Sequence, residues 1–266
     1  MSIAAVVVAL PLLLGVHPDP RFRAGVVLHD SGKLKEAIGL FRAVLKDRPH
    51  DPAAVYELSF SLLAARQFDA AIALIDEELK SGFTQTPRLY ALQANAYDAR
   101  GEHDAAEATL RKGLQVDPNN PELSYNLGVN LGSRERWPEA IAAFQACADA
   151  EPGNPSGWWG LGRSYEAQRE NGSALAAYAR AALTNAEKER VKAAAKRVVA
   201  LSQSTESLIR SLSEQGPYFA DAREKGHLEA LAYELYRLGG DASAELWCAE
   251  HAEKVKAFRA WASRRL

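Results

Sequence analysis

The stretch "LGVNLGSRERWPEAIAAF", Leu127–Phe144, decides how the chain is read. A small residue, Gly128, stands twelve positions before a second, Ala140, and an aromatic ring, Phe144, follows four later. Small side chains at those places let two antiparallel helices approach closely, and the ring fills the space beside the crossing. Between them, Pro138 and Glu139 put a residue without an amide proton and a carboxylate into the first turn of the second helix, where both are favoured. The same schedule runs through the chain. The alanines at Ala37, Ala71, Ala106, Ala140 and Ala174 are spaced by 34, 35, 34 and 34 residues. Large residues trail each by four, at Phe41, Ile75, Leu110, Phe144 and Tyr178. The upstream small sites are Ala24-Gly25, Leu58-Ser59, Gln93-Ala94, Leu127-Gly128 and Leu161-Gly162, and prolines close the units in "KDRPHDP", "QVDPNNP" and "AEPGNP".

A hairpin of two helices leaves an apolar face that only a neighbouring hairpin can cover, so a phased series of them must stack. At these residues the chain resembles the tetratricopeptide-repeat family, over Pro18 to Ala186. The resemblance implies an all-α fold, a right-handed superhelical solenoid of antiparallel helix pairs with about five clear repeats. Beyond Ala186 the motif fades. Counting on by 34 reaches Leu208 and then Ala242, and two degenerate hairpins or a capping domain are expected over residues 187–266. "GPYF", Gly216–Phe219, is the place where a separate small domain would begin.

With 32 basic and 34 acidic side chains the net charge is -2, so no general field favours nucleic acid or an anionic membrane. The two cysteines, Cys147 and Cys248, sit in apolar helical contexts and read as buried thiols, with a bridge between them left open. Residues 1–16 hold an uncharged apolar run, Ile3–Val16, before the breaker "HPDP". That length suits a signal-peptide core, and export to the periplasm or beyond is the preferred reading. An apolar helix packed on the start of a cytoplasmic fold is the alternative, and an uncleaved run would tether the chain to a membrane.

Chemistry is sparse. The six histidines show no metal-ligand spacing, "HDSGKL" at His29–Leu34 lacks the residues of a phosphate loop, and no Ser has a nucleophile-elbow context. No catalytic residue, metal or cofactor is assigned. In the repeat family, the first helix of each pair lines a groove that holds a peptide. Projected onto this chain, that face receives Tyr56 and Phe60, then Arg88, Asn95 and Asp98, then Tyr125, Asn126 and Val129, then Trp159, Arg163 and Glu166. Asn amides can donate to and accept from a peptide backbone, and Tyr125 and Trp159 offer apolar platforms. Asn95 and Asn126 fall where relatives with a carboxylate clamp carry asparagine. The basic clamp positions hold Ala91, Ser156 and Gly160, which argues against that mode. Against the groove reading stand packing roles for Trp137, Trp158 and Tyr165, and a surface ion pair between Arg163 and Glu166. Lys254, Lys256, Arg259, Arg264 and Arg265 make a basic end that reads as a solvated face.

The expected function is a non-enzymatic adaptor binding a protein or peptide partner in the groove. A structural module for self-association or envelope-complex assembly, or an enzyme's regulatory subunit, are the alternatives.

Overall fold

Prolines and acids divide the chain as the spacing requires. The computed structural model describes residues 17–82, 87–184, 188–214, 219, 222 and 226–262. The apolar run of residues 3–16, most of "GPYF", and Arg264 and Arg265 lie outside them. Among the described residues the elements are helices, with no strand: α1 (Pro20–Asp30), α2 (Leu34–Asp47), α3 (Pro52–Ala64), α4 (Phe68–Ser81), α5 (Pro87–Ala99), α6 (His103–Val116), α7 (Pro121–Ser133), α8 (Trp137–Ala150), α9 (Pro155–Ala167), α10 (Asn171–Leu183), α11 (Lys188–Ser202), α12 (Thr205–Glu214), α13 (Leu228–Gly239), α14 (Ala242–Glu250) and α15 (Ala252–Ala262). Two compact units divide between Thr109 and Leu110.

The two helices of a pair begin differently. Asp19, Asp51, Asn120 and Asn154 cap α1, α3, α7 and α9 with their side chains, each followed by proline at the first helical position. The cap accepts an otherwise orphaned amide, and proline has none to lose. α2, α4, α8 and α10 have no side-chain cap. These four, and α6 and α12 with them, follow a tight turn carrying one left-handed residue, at Gly32, Arg66, Gly101, Glu135, Arg169 and Gln203 with φ of 58° to 80°. Those positions repeat by 34 or 35 residues. Gln203 lies between α11 and α12, which marks this pair as a sixth hairpin on the same schedule.

Packing in each unit answers the opening spacing. In the first unit, Phe22, Phe41, Val44, Ala54, Leu58 and Ala71 share one core, and Val55, Ile75, Leu89 and Leu92 form the next. A methyl on Gly25 would stand 2.7 Å from the Phe41 ring. In the second unit, a methyl on Gly128 would stand 2.7 Å from Phe144, and one on Gly162 would stand 2.7 Å from Tyr178. Ala37, Ala71, Ala106, Ala140 and Ala174 are all fully buried. The small residues are thus the floor on which the aromatic rings lie.

The 34-residue count holds at Leu208, which is fully buried, and fails at Ala242, which is exposed at the start of α14. There the second helix of the hairpin is replaced by two short ones, α14 and α15, joined at His251. Ala244, Cys248, Val255, Phe258 and Ala262 take over the inward positions. α13 packs on α11, and a methyl on Gly239 would stand 2.7 Å from Val199, a close approach outside the repeat register. Both cysteines are buried free thiols, and burial pushes Cys147 up to about 12.

Candidate functional site

The candidate residues fall into two groups, one in each unit. In the first unit they build a ladder of rings. The His29 ring stacks on Phe60 at 4.8 Å, Phe60 stacks on Tyr56 at 6.2 Å, and the Arg88 guanidinium stands 5.9 Å from the Tyr56 ring. α1, α3 and α5 each contribute, because residues four apart on a helix share a face. His29 Nδ1 lies 2.8 Å from Ser61 Oγ, and burial lowers the affinity of this imidazole for a proton. Glu57, next to Tyr56, is pushed up to about 7 by burial and then by the charge of Asp30. Asn95 is exposed on α5. Asp98 turns to its own helix end and bonds His103 Nδ1 at 2.9 Å, a local tie between α5 and α6. His29, Glu57 and Asp30 were missed from sequence, yet His29 occupies in its repeat the place that Asp98 and Glu166 occupy in theirs.

In the second unit Trp159, Arg163 and Glu166 come together as their spacing requires. With Ala167, Tyr178 and Arg197 they line an open pocket of about 420 Å³. Trp159 meets the Tyr178 ring edge-on at 5.0 Å, and the Tyr178 hydroxyl donates to Glu166 Oε2 at 2.9 Å. Glu166 pairs with Arg197 of α11 and not with Arg163, which corrects the expected surface pair. Its Oε1 takes the guanidinium while its Oε2 takes the phenol. Arg163 is exposed and makes no ion pair among the described residues. Burial drives the Tyr178 hydroxyl up to about 12, with the Arg163 charge opposing.

Beside this pocket, on α7, Tyr125 packs its ring on Phe144 at 5.7 Å. Burial and then Cys147 raise its phenol, and the charges of Arg190 and Arg163 oppose that rise. The Asn126 Nδ2 is buried without a hydrogen-bond partner, and Val129 is 45% exposed. Arg197 was legible in principle, since it follows Arg163 by 34 residues, but no Leu-Gly pair on α11 announces the register.

Other candidates take packing roles. Trp158 is buried, donates Nε1–H to the Pro152 carbonyl at 2.9 Å and sits under Arg180 at 4.8 Å. Ala91 and Gly160, at clamp positions, are buried. In the basic end, Lys254 pairs with Glu229 at 3.0 Å and Arg259 with Glu234 at 2.8 Å, so those two charges are met within the chain. No three His, Cys, Asp or Glu side chains converge as a metal site would require among the described residues, and no helix there is long and apolar enough to cross a membrane.

Known proteins with these features are repeat proteins. Over 121 residues the chain is 29% identical to the chloroplast tetratricopeptide-repeat protein PYG7 of Arabidopsis thaliana, covering 44% of this chain and 40% of that one. The chain spans less than half the length of the curated relatives it matches. A thermophilic repeat protein of Thermus thermophilus superposes with a TM-score of 0.54 at 22% identity, covering 67% of this chain and 97% of that one. MamA superposes with a TM-score of 0.52 at 19% identity, covering 62% and 94%. At such identities the likeness speaks to the fold. Models described as tetratricopeptide repeat match residues 28–96, 91–155 and 125–190, which together are more than half of the sequence. On the sequence models, the repeat spacing and the packing of rings on glycines together, the chain belongs to the tetratricopeptide-repeat family.

Proposed function

We propose that the chain is a non-enzymatic interaction module that captures a segment of a partner protein on the odd-numbered helices of its repeats. The Trp159–Arg163 face of the second unit is the principal contact. The observation that carries this reading is the convergence of Trp159, Arg163, Tyr178 and Arg197 on one open pocket. Aromatic and arginine side chains of this kind dominate the energetics of protein contacts. The wall is held by packing and by the Tyr178–Glu166 bond, so little of it must be ordered on binding, and most of the ordering cost falls on the captured segment.

A random peptide library selected on the full chain tests the reading. Peptides so obtained are expected to lose about tenfold or more in affinity for Trp159→Ala and for Asn126→Ala. Equal affinities for wild type and both variants would remove the groove assignment.

Export is part of the same proposal and rests on the uncharged run Ile3–Val16 before "HPDP". Sequencing the N-terminus of the protein from its native cell checks it: a chain still beginning at Met1 excludes cleavage.

A further inference from the structure

The charges at the second unit's pocket do not balance. Arg163 and Arg197 line it against one carboxylate, Glu166. That carboxylate is already engaged on both oxygens, by the Arg197 guanidinium and the Tyr178 hydroxyl. Arg163 stands at the exposed lip, one helical turn from Trp159. This local excess of positive charge sits in a chain whose net charge is -2.

We infer that the segment captured at this face is acidic, with an Asp or Glu side chain on Arg163 and a neighbouring apolar side chain on Trp159. The inference rests on the capture reading above and adds the chemistry of the occupant. A guanidinium presents paired donors that match a carboxylate, and such a charge-assisted bond is stronger than a neutral one. Trp159 and Tyr178, set edge to face, give the adjoining side chain an apolar wall. The apolar part supplies affinity. The arginine supplies the choice of partner.

Fluorescence anisotropy with the full chain and three labelled peptides tests this. The first alternates Asp or Glu with Phe and Leu, the second carries Asn and Gln in place of the acids, and the third carries Lys. The acidic peptide is expected to bind about tenfold tighter than its amide counterpart, with the gap narrowing as salt is raised. Arg163→Gln should close most of that gap by weakening the acidic peptide far more than the amide one, and Arg163→Glu should turn the preference toward the lysine peptide. Arg163 is exposed, so neither change threatens the fold, and retained helicity by circular dichroism checks that. Equal binding of all three peptides, lost in Trp159→Ala, overturns the acidic preference while segment capture stands. Affinities unaltered by Trp159→Ala overturn segment capture at this face itself.

Discussion

The Phe144 ring packs against Gly160, a residue of the following helix pair. It also lies on Gly128 of its own pair, so one ring closes a hairpin and joins that hairpin to the next. Gly160→Ala and Gly128→Ala are each expected to lower stability by about 1–3 kcal/mol, the usual cost of forcing extra volume into a packed core. Gly39, in the middle of α2, has no atom within 4 Å of where a methyl would stand. Gly39→Ala should therefore stabilise by roughly 0.5–1 kcal/mol through helix propensity alone. Urea unfolding of the three variants checks all of this, and a destabilising Gly39→Ala or a neutral Gly160→Ala would contradict the packing described.

The turns before α1, α3, α7 and α9 depend on side-chain caps. Asn120 accepts the Leu123 amide at 3.0 Å. Asn120→Ala should cost about 1 kcal/mol, and Asn120→Asp very little, since either side chain serves as a cap. Thermal melts of the pair distinguish loss of the cap from a general intolerance at this site.

Glu57 binds a proton more readily in the folded chain, at about 7, than its ordinary value of 4.5. Folded protein thus holds more protons than unfolded between those values, so this group's contribution to stability falls as pH rises from about 4.5 to about 7. His29 is lowered from 6.5 and works the other way, its contribution growing as pH rises. Comparing wild type with Glu57→Gln isolates the carboxyl: the variant should gain stability over wild type as pH rises toward about 8, and the two should converge near about pH 4. A difference independent of pH would refute the assignment.

Glu234 is buried, and Arg237 and Arg259 hold its carboxylate at 2.7 and 2.8 Å. Burial alone would raise it, but the two guanidinium groups prevail and its pKa is lowered. Its contribution is therefore present above the ordinary carboxylate range and is lost as pH falls through the folded value. Glu234→Ala should cost roughly 2 kcal/mol, less than a wholly buried pair would lose because Arg259 reaches water. Arg259→Ala should cost well under that. Melting both variants at neutral and acidic pH gives the ranking, and a larger loss in Arg259→Ala would reverse it.

Cys147 and Cys248 should resist alkylation in the native protein and react once it is unfolded in denaturant, because burial raises both thiols and hides them. Mass spectrometry of iodoacetamide-treated protein reads this directly. Rapid native labelling at either position would show a more open structure than the one described.

The spacing of Gly128, Ala140 and Phe144 was enough to place helix pairs, turns and the buried crossing residues, because close approach tolerates so few side chains. The same phase put Trp159, Arg163 and Glu166 on one face, where they meet. It did not reveal that Glu166 turns to Arg197. That partner comes from α11, whose alanines pack without the Leu-Gly signature, so register there rests on the turn at Gln203 and not on composition. Counting to Ala242 failed for a related reason: a fixed period assumes fixed helix lengths, and the break at His251 ends that assumption. His29 and Glu57 stayed hidden because burial and a neighbour's charge, not residue type, give them their character.

The left-handed residue at each hairpin turn has a practical corollary. Glu135–Gln168 is a cassette of 34 residues that begins at one such turn and stops just before the next. Duplicating or excising it leaves every remaining bend with its own stereochemistry, whereas a splice that does not run from one such turn to the next, 34 or 35 residues on, breaks that order. The molecule can thus be lengthened or shortened in whole cassettes.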